Sequence, residues 1–411
     1  MIITSHLDGD KPSHAGDNNG QLIMCIPGCG GTGKSQLIRT VTEYFLVTNR
    51  IQKMRKLAPT GIAAAEIGGM TIHSFLENKK KFNKLPSEKE IQQRVARSLI
   101  LQMNCVVKLT QQMRTEDLRY LQLLERLREG QCNFEDYELL LTRVVGESSV
   151  SLREPPWNQA PMLVFRNEIG TQLNHRSAIH NAVEVGTNLM VCVAQDFCKG
   201  KPVEEPALPK KLLQLSDSKT EHLQGLLPLV PGMPVIITQN IAIELGLING
   251  MNGIFRQLVY DLDSVSTDSL SKTFPVNTQY VHKPIYALIK ISKSKIEWNL
   301  EKLQPKLIPI SIMEQTFQRR ALPLVSAYSI TTHKSQGQTL NKVVIDLKLS
   351  KDTDDIATIY APLSRVKRLS DLIIWRHFDY KVLQIKPSKS QVAEIQRLDK
   401  LYMETQKRFS E

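Results

Sequence analysis

The sequence predicts an α/β protein of more than one domain, and three observations predict it. A chain of 411 residues is longer than one compact core usually takes. Near residue 30 a glycine-rich loop joins a short apolar run to a helical pattern, the order of a layered α/β sheet. Between residues 230 and 320 the texture changes to short apolar strands separated by Gly, Asn and Asp turns.

The first strand is supplied by Leu22 to Ile26, and Leu37, Ile38, Val41 and Phe45 recur at helical spacing after the loop. The loop itself, Gly28 to Ser35, reads Gly-Cys-Gly-Gly-Thr-Gly-Lys-Ser, a complete G-x-x-x-x-G-K-S. Gly28, Gly30, Gly31 and Gly33, with Thr32 among them, let successive N–H groups and the helix N-terminus converge on phosphate. Lys34 adds a point charge, and the Ser35 hydroxyl suits Mg²⁺. Nucleotide binding is the expectation.

Met54 to Ala58, Pro59-Thr60-Gly61, an Ala-rich stretch through Ile67 and then Thr71 to Phe75 read as a second strand and helix of the same layer. Residues 77–97 are rich in Lys and Arg and read as a solvated, partly helical face. A helix is expected over Asp117 to Glu129, with Leu118, Leu121, Leu124 and Leu127 on one face and Gly130 as its stop. Asn133 caps another.

Met162 to Phe165 reads as a buried strand, with a helix after Asn167. Cys198 to Leu226, rich in Lys, Glu and Pro, reads as a surface connection. Strands are expected over 234–238, 254–260, 286–291 and 307–312, a spacing that fits a small barrel, and over 322–329 and 342–347 in an α/β layer. After Lys386 the tail reads as a charged helix.

Lys plus Arg total 53 against 41 Asp plus Glu, a formal charge of +12, which favours a polyanionic partner. No run approaches the ~18 apolar residues of a membrane span. The first 20 residues hold three Asp and no Arg, unlike a secretory signal or a mitochondrial presequence. Six cysteines lie without any C-x-x-C pair, which speaks against zinc or a disulfide framework. Cys29 reads as a small residue tolerated at a variable loop position.

Further strings complete the pattern. His333-Lys334-Ser335-Gln336-Gly337-Gln338-Thr339 and Tyr360-Ala361-Pro362-Leu363-Ser364-Arg365-Val366 join APTGIAA at 58–64, TIHSF at 71–75, LTQQMR at 109–114, PGMPVIITQN at 231–240 and GLINGMNG at 246–253. In this order they resemble the Pif/RecD branch of superfamily-one DNA helicases. They are most similar to the eukaryotic Pif-type group, including versions carried by fungal Helitron transposons.

The resemblance implies two RecA-like P-loop NTPase lobes, the first incomplete, with a small β-barrel inserted in the second. Its boundaries would be an unstructured 1–20, a first lobe over 21–145, a second beginning at 146–229, the barrel at 230–320, the rest of the second lobe at 321–385 and a charged helix at 386–411. It further implies ATP and Mg²⁺ as ligands, single-stranded DNA and DNA junctions as partners, and no obligate protein partner. The activity implied is 5′-to-3′ DNA unwinding in repair, recombination and telomere maintenance. A nuclear address is expected, with the mitochondrial one left open. Lys34, Arg114, Gln336 and Arg365 match catalytic positions, Ser35 a metal ligand, and Thr60, His73, Thr331, His333 and Lys334 positions at the DNA backbone.

The sequence departs from that family in one chemically decisive place. Between TIHSF and LTQQMR the family carries two further strands, one ending in an Asp-Glu pair that holds Mg²⁺ and orients the attacking water. Here only 35 residues separate Phe75 from Gln111, and no Asp-Glu dipeptide occurs in the chain. Nor does a Gln segment suited to reading adenine precede Gly28, while Pro362 and Thr332 stand where Ala and Ile are usual. Two readings follow: an ATP-dependent helicase, and a catalytically impaired nucleotide- and nucleic-acid-binding remnant of one.

Overall fold

The computed structural model describes residues 2–8, 21–72, 75, 98, 100–147, 150–198, 200–203, 208–215, 220, 223–242, 245–292, 294, 296, 303–314, 319–332, 334–335, 338–349 and 355–409. The chain divides into two compact units. The first gathers Met1–Leu141, Ser350–Asp371 and Phe378–Glu411; the second holds Thr142–Leu349 and Leu372–His377.

In the first unit the strand Met24–Cys25 runs parallel to Cys105–Val106, and Leu57–Ala58 runs parallel to Met70–Thr71. Among the described residues these two-stranded pieces are all of its sheet. The helix Ile2–Asp8 corrects the expectation that residues 1–20 carry no structure.

The helix Leu118–Glu129 begins where the Asp117 carboxylate accepts the Tyr120 N–H at 3.1 Å, and ends at Gly130 with φ 68°. It buries Tyr120, Leu123, Leu124 and Leu127, while Leu118 is 76% exposed. The packed face therefore starts at Tyr120, whose phenol donates to the Leu363 carbonyl at 2.6 Å. Asn133 caps Phe134–Leu141: its Oδ1 accepts the Asp136 N–H at 3.0 Å, and Asp136 returns the contact to the Asn133 N–H at 3.1 Å. The buried Asp136 carboxylate also takes both arms of Arg126, at 2.8 and 2.5 Å.

The charged tail helix, Lys389–Phe409, has a packing role that its composition conceals. Cys105 and Val107 point their N–H groups at the neighbouring strand's carbonyls, so the Val106 N–H faces the opposite edge. There Thr405 Oγ1 accepts it at 3.0 Å, and Arg408 donates to the Asn104 carbonyl at 3.0 Å. Lys108 pairs with Asp399 at 2.9 Å alongside. A helix thus covers a strand edge that would otherwise be left open.

The sequence reading assigned 321–385 to the second lobe. The structure instead groups Ser350–Asp371 and Phe378–Glu411 with the first unit, because the helix Ala357–Leu363 packs on Leu118–Glu129 and the tail helix on Cys105–Val106.

The second unit contains a parallel sheet in the order Ser329–Thr331, Met162–Val164, Val343–Ile345, Leu372–Ile374. The helix Asn167–Val185 follows the second of these and packs against Ser329–Thr331. An antiparallel sheet runs Leu307–Ser311, Pro284–Lys290, Asn252–Tyr260, Pro234–Ile237, Leu324–Ser326. Its buried face, with Val235, Phe255, Ile289 and Ile310, belongs to the main core. The strand order is open, and closure into a barrel is not among the pairings of the described residues.

The stretch before Leu226 is more than a surface connection, since Leu213, Leu223 and Leu226 lie in that core. Arg319, fully buried, binds Asp196 through two bonds of 2.6 and 2.8 Å and also donates to the Leu212 and Leu223 carbonyls. On the helix Asn167–Val185, burial pulls the His175 imidazole down to about 4 beside the ring of Phe274, 5.0 Å away. No helix among the described residues is long and apolar enough to cross a membrane.

Candidate nucleotide-binding site

The phosphate loop occupies the first unit between the strand Met24–Cys25 and the helix Lys34–Val47. Two of its glycines adopt backbone conformations that side chains disfavour, Gly31 at φ 95° and Gly33 at φ 82°. Gly33 is the N-cap of the helix, and a Cβ there would meet nothing within 4 Å, so the loop is open on that side. At Gly31 the opposite holds: a Cβ would lie 2.3 Å from both Arg114 Cβ and Gln112 Oε1.

That crowding reflects how the segment at 109–114 is laced to the loop. Met113 N–H donates to the Gly31 carbonyl at 2.9 Å, Gln112 Nε2 to the Gly30 carbonyl at 2.6 Å, and Leu109 N–H to the Pro27 carbonyl at 3.3 Å. Gln112 Oε1 in turn accepts the Arg114 N–H at 2.9 Å. Arg114 is thereby fixed above the glycines.

Arg365 arrives from the segment after the helix Ala357–Leu363. Its Nε donates to the Ala361 carbonyl at 2.7 Å and its Nη2 to Ser364 Oγ at 2.7 Å. Arg114 Nη1 donates to the Ser364 carbonyl at 2.9 Å, so one residue joins both guanidiniums. From the Cβ position of Gly30, Arg114 Nη1 lies at 3.0 Å and Arg365 Nη2 at 3.5 Å. Lys34 Nζ donates to the Gly28 and Cys29 carbonyls at 2.9 and 2.5 Å.

A fourth cation was not foreseen. Arg128, in the last turn of Leu118–Glu129, donates from Nη1 to Cys29 Sγ at 2.6 Å. Helical periodicity places it on a solvent face, and only the tertiary fold brings it to the loop. Gln112 and Tyr360 lay inside the recognised strings without an assigned role.

The electrostatics follow from this crowding. Burial lowers the Lys34 pKa from its usual range, and Arg114, Arg128 and Arg365 lower it further, against a raising effect of Cys29. Burial and then Arg114 bring Arg365 down to about 10. Burial lowers Arg114 too, and it raises the Tyr360 phenol, which the neighbouring Cys29 raises further.

Of the DNA-facing candidates, Thr60 caps the helix Gly61–Glu66 in the first unit, its Oγ1 accepting the Ala63 N–H at 3.3 Å. Thr331 and Lys334 belong to the second unit, at the end of the strand Ser329–Thr331, where the Lys334 N–H donates to the Thr331 carbonyl at 2.9 Å. His73, His333 and Gln336 lie outside the described residues.

These residues fit a polyphosphate: left-handed glycines, a helix N-terminus and four cations face one loop. Ser35 offers a hydroxyl, but no carboxylate acts on Lys34 among the described residues, and no group of three metal-ligating side chains occurs among them.

The family model described as an AAA domain matches residues 17–128. An uncharacterized protein, 030L, of Invertebrate iridescent virus 6 is 26% identical over 189 residues, 39% of this chain. The match spans 34% of that relative's length. Among solved structures, Pif1 helicase from Candida albicans superposes with a TM-score of 0.61 at 17% identity, over 93% of this chain and 96% of that one. Pif1 helicase from Bacteroides in complex with ADP-AlF3 and ssDNA gives 0.54 at 16% identity, over 92% and 94%. The chain therefore has the mixed α/β fold of the Pif1 helicases, with its phosphate loop inside the segment that the AAA model matches.

Proposed function

We propose that this chain is a DNA helicase of the Pif-type superfamily-one group by descent, binding ATP at Gly28–Ser35 and single-stranded DNA. One observation carries the nucleotide assignment: Lys34, Arg114, Arg128 and Arg365, from four separate segments, converge on the phosphate loop. In this reading the loop N–H groups and Lys34 hold the phosphates, while Arg114 and Arg365 offset negative charge on the transferring phosphoryl group. Both guanidiniums hydrogen-bond to Ser364, which ties them to one residue. Gln336 couples nucleotide state to DNA grip. Thr60, His73, Thr331, His333 and Lys334 bind the DNA backbone without reading sequence. The Bacteroides relative's complex with ssDNA supports the DNA assignment. The 5′-to-3′ polarity, the roles in repair, recombination and telomere maintenance, and a nuclear address extend the same proposal.

A second reading, a binding protein with crippled turnover, is favoured by a specific observation. The chain has no Asp-Glu pair after the second strand, and no described carboxylate acts on Lys34. A DNA-stimulated ATPase assay with Lys34→Ala as control separates the two. Turnover that DNA stimulates and the substitution abolishes supports the helicase; binding without turnover supports the remnant. Stimulation by a small metabolite and not by DNA would sink both.

A further inference from the structure

Gln112 spans the gap between the phosphate loop and the backbone of Arg114. Its Nε2 donates to the Gly30 carbonyl at 2.6 Å, and its Oε1 accepts the Arg114 N–H at 2.9 Å. A carbonyl accepts and an N–H donates, so these two partners fix the orientation of the amide. A carboxylate could not serve the first partner, nor an ammonium the second. Gln112 is half-buried, whereas Gln111 and Met113 on either side of it are exposed, and Met113 meets the loop through its backbone, its N–H 2.9 Å from the Gly31 carbonyl. The fit is close: a Cβ at Gly31 would lie 2.3 Å from Gln112 Oε1 and 3.2 Å from the Arg114 nitrogen. From this root the Arg114 guanidinium reaches over Gly30, where its Nη1 lies 3.0 Å from the Cβ position and donates to the Ser364 carbonyl at 2.9 Å.

From this geometry we infer that Gln112 is a positioning residue of the nucleotide site, an amide clasp that sets where the Arg114 guanidinium meets the terminal phosphate of a nucleoside triphosphate. The inference rests on the nucleotide-site assignment above and goes beyond it, because it names the residue that gives Arg114 its place. A long, rotamer-rich side chain presents its head group reproducibly when its root is held. Gln112 holds the Arg114 backbone and Ser364 its guanidinium, so the side chain is ordered before a ligand arrives and loses little entropy on binding. The loop N–H groups and Lys34 serve a diphosphate and a triphosphate alike. A diphosphate lacks the group that Arg114 would meet, so the clasp acts on the choice between the two.

Calorimetry on the full chain tests this with ADP and with a β,γ-imido ATP analogue that resists hydrolysis. The unaltered chain is expected to prefer the triphosphate, and Gln112→Met to lower that preference by about tenfold, the loss of the amide's hydrogen bonds, with ADP affinity moved less than about twofold. Gln111→Met, the same change at the exposed neighbour, is the control. In an Arg114→Gln background, Gln112→Met should leave the preference where it is, because the group that Gln112 orients is gone. Circular dichroism checks folding, and Gln112→Asn, shorter by a methylene and unable to reach both partners, gives a second reading of the same ratio. Equal weakening of both nucleotides overturns the inference, as does an unaltered chain without a preference, or a fall in preference that persists in the Arg114→Gln background. If the unaltered chain binds neither nucleotide, the nucleotide-site assignment itself fails; binding of both with a ratio that Gln112→Met does not move leaves that assignment standing and removes the role of Gln112 alone.

Discussion

Replacing Thr405 by Val isolates the contact by which the tail helix covers the sheet of the first unit. Thr405 and Val106 are 3% and 1% exposed, so water cannot replace the hydroxyl that accepts the Val106 N–H at 3.0 Å. Valine keeps the shape and removes the acceptor, leaving a buried donor unpaired at a cost of about 1–3 kcal/mol. In local opening that corresponds to roughly 5- to 150-fold faster exchange of the Val106 amide. Native-state hydrogen exchange reads it directly, with the exposed Met403→Ala on the same helix as control. The effect should spread to the ligand. The Val107 N–H donates to the Cys25 carbonyl at 3.0 Å and Leu109 to Pro27 at 3.3 Å, so this strand holds the chain that enters the phosphate loop. Weaker ATP binding is expected alongside faster exchange. An unchanged Val106 exchange rate in Thr405→Val would refute the idea that the helix serves as the sheet's missing edge.

Three further outcomes are expected. Gly31→Ala must place a Cβ 2.3 Å from Arg114 and Gln112 at φ 95°, so ATP binding measured by calorimetry should be lost, and retained affinity would contradict the loop geometry. His175 titrates near 4 in the folded chain against 6.5 when exposed, so the unfolded state binds more protons between those values. Stability then falls as pH drops from about 6.5 towards 4, by up to about 3 kcal/mol; urea titrations should show this slope flattened in His175→Leu. Asp117→Ala removes the N-cap of the helix that carries Arg128 and should cost about 1 kcal/mol in the same titrations.

What the sequence made legible was mostly local. The phosphate loop, the Asn133 cap and the Gly130 stop are short-range features whose geometry is set by the residues themselves. Four strands of the antiparallel sheet were legible too, because turn residues punctuate them, whereas the fifth, Leu324–Ser326, was expected in the α/β layer and instead pairs with Pro234–Ile237. Distance in the chain hid the rest. Leucine spacing pointed to Leu118, yet Tyr120 sets the packed face by reaching Leu363. Arg128 is an ordinary charged helix residue until folding brings it to Cys29, 99 positions away. Leu213 and Leu223 lie among lysines and glutamates in the sequence, yet both are in the core, where Arg319, paired with Asp196, donates to the Leu212 and Leu223 carbonyls. At the candidate site, Lys34, Arg114 and Arg365 could be named from motifs, but their convergence with Arg128 on one loop needed their positions.

The first unit is assembled from both flanks of the second, since Phe378–Glu411 packs beside strands drawn from Met1–Leu141. During synthesis the second unit, nearly all within Thr142–Leu349, can close while the ribosome is still translating. The first cannot. Its strand at 105–106 waits some 300 codons for Thr405, separated from it by 299 positions, and until then it presents a bare hydrogen-bonding edge. A nascent chain of this kind depends on holding that edge apart from its neighbours, and a ribosome stalling late in the message would release a molecule with one finished unit and one exposed to aggregation.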